Sequence, residues 1–261
     1  MILPLLVYSP GAMQYLADLK RASYDAVSDI PDNNVAIAFS GGLDSSLLAK
    51  ISDELGKKIT LLTIGFPRSP DIEFSKTIAS KLGLHHKIAE LDNASFQVTL
   101  RHVREKINCS NNSHIENCIA FFYVAKLARQ NALQTVLTAN GCDELFCGYN
   151  AYRLVYKEGK KAIMKFMNEK ITNEFQLLSE ISTIAEEFGV YIKQPFLSDK
   201  FITIAKSIPI QHKIKSADDL VRKHILRDLA LSIGVPEQAA LKRKKAIQYG
   251  SLIHKNIKKT M

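Results

Sequence analysis

Val35-Ala-Ile-Ala-Phe39, followed at once by Ser40-Gly-Gly-Leu-Asp-Ser-Ser46, decides how this chain reads. Five consecutive apolar residues suit a strand buried on both faces, because alternate side chains leave opposite sides of a sheet and here both are apolar. Leu47 to Leu55 continue as a helix, and Gly56 is the residue expected just past a helix end. Between the two, a pair of glycines lets the backbone curl until successive N–H groups face one anion. The helix N-terminus adds partial positive charge, and the hydroxyls of Ser40, Ser45 and Ser46 add donors. The heptad therefore predicts a phosphate cradle. It has neither the Gly-Lys-Ser/Thr of a Walker A loop nor a Gly-x-Gly-x-x-Gly pattern. Asp44 is out of place beside an anion unless it holds Mg2+, which would bridge the carboxylate to phosphate oxygens. Gly-Gly followed by Asp-Ser also makes ordinary turns and helix caps, but the whole heptad after a buried strand is more specific than a cap.

The strand-then-helix unit recurs outward from this point. Ile59 to Phe66 reads as a second strand, Asp71 to Leu82 as a helix closed by Gly83, and His86 to Leu91 as a third strand. Residues 94–107 and 115–130 read as helices, and Gln134 to Thr138 as a fourth strand entering Ala-Asn-Gly-Cys-Asp-Glu-Leu-Phe-Cys-Gly-Tyr149. Such alternation predicts an α/β protein, a parallel β-sheet with helices on both faces, whose ligands bind at the carboxyl ends of the strands. Residues 12–30 precede it as an amphipathic helix stopped by Pro31. Beyond residue 150 apolar residues return at helical spacing over 151–188, 198–207 and 217–231, so a mostly helical C-terminal part is expected. The expected division is 1–30, 31–150 and 151–261.

Composition narrows the class further. A chain of 261 residues, 46% hydrophobic and 23% charged, is neither disordered, collagenous nor a coiled coil. Four cysteines without zinc-type spacing read as reduced cytosolic thiols, and the apolar octet Met1–Tyr8 is too short to span a membrane, so a cytoplasmic protein with no membrane partner is expected. The formal net charge of +9 is concentrated at one end: no acidic residue follows Glu237, and residues 1–237 carry only +2. Nucleic acid is for that reason an unlikely partner of the body of the protein. His85-His86 lack a ligand partner at metal-binding spacing, and Phe121-Phe122-Tyr123 reads as core rather than a base-stacking platform.

The Ser40–Ser46 heptad resembles the PP-loop of the ATP pyrophosphatases, whose fold is that of the adenine nucleotide alpha hydrolases. Those enzymes cleave ATP between the α and β phosphates and adenylate an oxygen of the substrate. Leu62-Thr-Ile-Gly-Phe66, Asp143-Glu-Leu-Phe-Cys-Gly-Tyr149, Gln194-Pro-Phe-Leu-Ser-Asp199, Lys223-His-Ile-Leu-Arg227 and Arg243-Lys-Lys-Ala-Ile-Gln-Tyr-Gly250 resemble, in this order, the synthetase domain of asparagine synthetases and their β-lactam-forming relatives. The resemblance implies ATP and Mg2+ as cofactors and a small carboxylate, aspartate or an analogue, as substrate. It implies that Ser40, Gly41, Gly42, Leu43, Asp44, Ser45, Ser46 and Gly141 hold the nucleotide phosphates, with Asp44 and Asp143 as metal ligands. Ile64 and Gly65 would line the adenine pocket. Lys245 would place its ammonium on the α/β phosphates as charge develops, and Glu144 and Asn140 would lie at the reacting centre.

Two departures from the family pattern stand out. Glutamine-using asparagine synthetases begin with a catalytic cysteine and an amidotransferase domain, whereas Met1-Ile2 opens almost directly on the synthetase region. The expected nitrogen source is then free ammonia, a separate glutaminase subunit or another nucleophile. The family also reads Gly-Glu-Gly where this chain reads Ala139-Asn140-Gly141, and an amide cannot take a proton from an attacking amine near neutral pH. Glu144 or Glu116 is the expected substitute. Two other readings compete: a PP-loop tRNA-modifying enzyme of the thiolation type using Cys142 or Cys147, and an ATP-binding subunit whose catalysis has decayed.

Overall fold

The computed structural model describes residues 10–107, 109, 111–242 and 247–258. Helix α1 (Pro10–Ser28) leads into strand β1 (Asn34–Ala38). There follow α2 (Leu43–Glu54), β2 (Lys58–Gly65), α3 (Pro70–Leu82), β3 (His85–Glu90), α4 (Asn93–Lys106), α5 (Asn112–Gln130) and β4 (Thr135–Leu137). Then come α6 (Cys142–Leu145), α7 (Ala151–Val155), α8 (Lys160–Glu186), β5 (Tyr191–Lys193), α9 (Asp199–Ser207) and α10 (His224–Ser232). Three short helices close the chain: α11 (Glu237–Ala240), α12 (Ile247–Gly250) and α13 (Ile253–Lys258).

The five strands form one wholly parallel sheet in the order β3-β2-β1-β4-β5. The register Ile37 with Leu61 on one side and with Leu137 on the other makes β1 the central strand. Its continuous apolar run has the expected cause. Val35 and Ile37 enter one core with Leu47, Leu48 and Ile51 of α2 and Ile225 and Leu229 of α10. Ala36 enters the opposite core with Leu62, Ile64, Val136, Ile119 of α5 and Ile181 of α8. Full burial of each such aliphatic side chain stabilises the fold by roughly 1.5–3 kcal/mol.

Three expectations need correction. A fifth strand exists, only three residues long, which left it too short to show an alternating pattern; Tyr191–Lys193 pairs with β4. The helix expected over 151–188 is broken at Gly159, whose φ of 90° is outside helical geometry. The helix expected over 217–231 starts only at His224, because Asp219 ties residues 215–224 into a knot described below. Helix α2 begins at Leu43, so the heptad supplies the helix N-terminus itself. Among the described residues no helix is long and apolar enough to cross a membrane.

Strand order reverses at β1, with β2 on one side and β4 on the other, and the loops after β1 and β4 open from this point at the carboxyl edge. That crevice is where an open parallel sheet has room for a ligand.

Candidate active site

The loop after β1 carries Ser40 to Gly42. Gly41 has a φ of +70°, and a Cβ there would lie 3.1 Å from both Phe74 Cδ1 and Ser75 Cα, so glycine is required by conformation and by space. The cradle's hydroxyls are loosely held. Ser40 Oγ and Ser45 Oγ lie 3.4 Å apart, and Gly42 N donates to Ser40 Oγ over the same distance. Ser46 Oγ is buried without a hydrogen-bond partner among the described residues. Weakly satisfied donors at a helix N-terminus suit an incoming phosphate.

Lys223, not singled out for a role from the sequence, occupies the centre. Its ammonium lies 2.6 Å from Asp44 Oδ2 and 2.7 Å from Asp143 Oδ1, and its side chain is 2% exposed. Burial by itself lowers the lysine pKa, but Asp143 and then Asp44 more than offset it, and the net shift is upward. The two aspartates expected from the sequence as metal ligands are brought together, and the cation they share is the Lys223 ammonium. As paired hard oxygen donors beside the phosphate cradle they fit Mg2+.

Two local devices bring Lys223 there. Asp219 Oδ1 accepts from the backbone N–H groups of Val221 and Arg222, while Oδ2 accepts from Lys215 N and lies 2.6 Å from His224 Nε2. Its carboxyl is held well below the usual range: burial opposes the charge, but these hydrogen bonds outweigh it. The knot holds Arg222 and Lys223 in the left-handed region, at φ 51° and 54°, a conformation costing on the order of 1–3 kcal/mol per residue. Gly148 supplies the second device. A Cβ there would fall 2.0 Å from Asp143 Oδ1 and 2.3 Å from Lys223 Cε, so the glycine of the Asp143–Tyr149 segment leaves the space in which lysine and aspartate meet.

On the far wall Asn140 and Glu174 face each other. Thr138 Oγ1 donates to Asn140 Oδ1, and Asn140 Nδ2 donates to Glu174 Oε1 at 2.6 Å; Gln194 Nε2 donates to the same oxygen at 3.1 Å. Burial raises the Glu174 pKa to about 8, reinforced by the Glu144 charge and opposed by the bonds from Asn140 and Gln194. Glu174 had a sequence signal. Ile163, Met167, Ile171, Glu174, Leu177, Ile181 and Ile184 form the buried stripe of α8, so an acid sits where the helical period demands an apolar residue.

The carboxylates expected to replace the family glutamate do other work. Glu144 Oε2 accepts from Gly141 N at 3.0 Å and Oε1 accepts from the Tyr149 hydroxyl, so it closes the turn that starts α6. Glu116 Oε1 lies 2.6 Å from His254 Nδ1 and ties α5 to α13. Cys142 and Cys147 are fully buried; burial pushes the Cys142 thiol well up and that of Cys147 to about 12. His86, 2.8 Å from Thr63 Oγ1, is pushed down to about 4 by burial and by the charges of His85 and Lys76. Ile64 and Gly65 end β2 at the same sheet edge. Lys245, like Arg243, lies outside the described residues.

Ser40, Asp44, Ser45, Asn140, Asp143, Glu144 and Glu174 line one cavity of about 440 Å3, together with His114, Tyr149 and Lys170. The Lys170 ammonium also lies 5.7 Å from the centre of the Tyr149 ring. The size lies within the usual range for small-molecule sites.

A glycine-serine cradle at the switch point of this parallel sheet defines a PP-loop nucleotide-binding fold of the ATP pyrophosphatase kind. The chain matches the asparagine synthase family over residues 19–174 and 164–261, and it belongs to that family. It is 29% identical over 264 residues to a protein of Methanocaldococcus jannaschii named for glutamine-hydrolyzing asparagine synthetase, covering 87% of this chain and 48% of the relative. It is 24% identical to the glutamine-hydrolyzing asparagine synthetase B of Escherichia coli, covering 89% of this chain and 44% of that one. The chain thus spans about half the length of the curated relatives it matches. Among solved structures, a U34-tRNA thiolase of Methanococcus maripaludis is similar at a TM-score of 0.48 and 14% identity, covering 95% of this chain and 75% of that one.

Proposed function

We propose that the chain is an ATP-dependent amide-forming ligase, which adenylates the carboxylate of a small acceptor, aspartate or an analogue, releases pyrophosphate, and completes an amide with ammonia or an amine. The carrying observation is that Ser40 and Ser45 of the cradle, Asp44 and Asp143, which meet at the Lys223 ammonium, and the buried Glu174 line the same cavity. The cradle binds the polyphosphate through backbone N–H groups and the Ser40 and Ser45 hydroxyls. Asp44 and Asp143 would hold Mg2+, which would supply charge neutralisation on the phosphates when bound, and Lys223 keeps the two carboxylates together. Lys245 is assigned to the α/β phosphates by its place in the family pattern.

In the second half-reaction Glu174 takes the proton from the attacking nitrogen. Asn140 and Gln194 hold its carboxylate by two hydrogen bonds, and Thr138 fixes the Asn140 amide in the donating orientation. The groups facing Glu174 are Glu144 and Asp143 on α6, Tyr149 beyond it, His114 on α5 and Lys170 one turn earlier on α8. Lys170, in the wall of the cavity, would meet an acceptor carboxylate. The buried, protonated thiols of Cys142 and Cys147 favour this reading over sulfur transfer.

The test is to incubate the purified chain with ATP, Mg2+, ammonium and a panel of carboxylates beginning with aspartate. AMP and pyrophosphate should form in equal amounts, and labelled pyrophosphate should exchange into ATP when the acceptor is present. Absence of exchange across the whole panel overturns the proposal. In Asn140→Glu, adenylation should persist, and any change should be confined to amide formation.

A further inference from the structure

At the wall of the same cavity, away from the phosphate cradle, three side chains of metal-binding type come together from three elements. Cys109 lies in the loop between α4 and α5, His114 in the first turn of α5, and Glu180 on α8. A sulfur, an imidazole nitrogen and a carboxylate oxygen, one from each, all lie within 4.8 Å of one another. Nothing in the ATP chemistry proposed above uses them.

The surroundings resemble those of a ligand set more than those of an incidental contact. His114 Nδ1 lies 2.8 Å from Glu180 Oε2, and Gln176, one turn earlier on α8, donates to Glu180 Oε1 at 3.3 Å and so orients the carboxylate. The Asn111 backbone N–H donates to Cys109 Sγ at 3.3 Å, which orients the sulfur. His114 is 7% exposed and Glu180 is half-buried, so the site is shielded while His114 still forms part of the cavity wall.

We propose that Cys109, His114 and Glu180 bind a soft divalent cation of the zinc class. With bond lengths of about 2.0 Å to nitrogen and oxygen and about 2.3 Å to sulfur, a tetrahedral ion needs its ligands about 3.3–3.5 Å apart. The His114–Glu180 contact opens slightly and Cys109 closes in, movements within reach of side-chain rotation. One thiolate, one imidazole and one carboxylate suit Zn2+ and disfavour Mg2+, which the two aspartates suit instead. Three protein ligands leave a fourth position for water or for an anionic group of a molecule in the cavity.

Cobalt is the probe. Titrated with Co2+ and no nucleotide, the full chain should bind one ion and develop a near-ultraviolet thiolate-to-metal charge-transfer band, which Zn2+ abolishes by displacement and a large excess of Mg2+ does not. C109S should remove the band, and E180Q and H114Q should each weaken binding by at least about tenfold. Circular dichroism of C109S should match the unaltered chain. No band, or a band that survives C109S, overturns the proposal. Because the readout is metal binding without ATP, its failure leaves the amide-ligase reading intact, and failure of pyrophosphate exchange leaves the metal site intact.

Discussion

Asn140 donates its side-chain amide to Glu174 across 2.6 Å, joining the loop after β4 to the middle of α8. The family pattern has a glutamate at the position of Asn140, and the structure supplies a carboxylate from another element to the same place. In the proposed function Glu174 takes over the base role expected at that position.

Glu174→Gln should therefore separate the half-reactions. Pyrophosphate exchange should stay within about twofold, while amide formation should fall by about 10²–10⁴, the usual contribution of a positioned base. In the unaltered protein the rate of amide formation should climb as pH rises through about 8, as Glu174 ionises, and that limb should vanish in the variant. A stability profile checks the same group independently. Its pKa is raised from 4.5 to about 8 on folding, so its contribution is complete below the unfolded value and is lost as pH rises through about 8. Urea melts of Glu174→Gln should lack that slope.

Lys223→Met removes the cation shared by Asp44 and Asp143. Breaking a buried pair costs about 3–5 kcal/mol, and the partial exposure of the aspartates places the expected loss at the low end of that range. Chemical denaturation should show the loss, and Asp143→Asn combined with Lys223→Met should recover part of it while ATP binding stays impaired.

Gly148→Ala should act as a milder form of the same lesion. The added methyl occupies the space between Asp143 and Lys223, so one of them must move. ATP affinity measured by calorimetry should fall at least tenfold, with the far-ultraviolet spectrum unchanged. Retained affinity would show that the meeting of the two groups is dispensable.

Cys142→Ala with Cys147→Ala should leave adenylation and amide formation within about threefold of the starting values, because both thiols behave as small buried apolar groups. Loss of turnover with restored packing would revive a sulfur-transfer chemistry.

The parallel sheet and the glycine-serine loop at its switch point were legible in the sequence because they are local. A five-residue apolar run, two glycines and a helix start are read within a dozen neighbours, and each is dictated by backbone geometry and burial. The charge was legible in part. The first basic residue of the C-terminal run, Lys242, stacks over the Phe74 ring at 3.3 Å, a partner sequence spacing does not announce. Strand β5 was lost for the opposite reason: three residues are held by pairing with β4 and not by their own pattern.

What the sequence by itself determined is the glycine-serine end of the protein: the heptad, the Asp44 and Asp143 carboxylates, and the motifs that resemble the asparagine synthase family. Tertiary structure alone decided which side chains meet them. Lys223 reaches Asp44 from 179 residues away because Asp219 knots its loop and Gly148 makes room. Glu174 becomes the acid beside Asn140 because a helix period turns it inward, where burial and the Glu144 charge set its proton affinity. Such groups are brought together by packing, which depends on the whole chain, whereas a turn or a cap depends only on its neighbours.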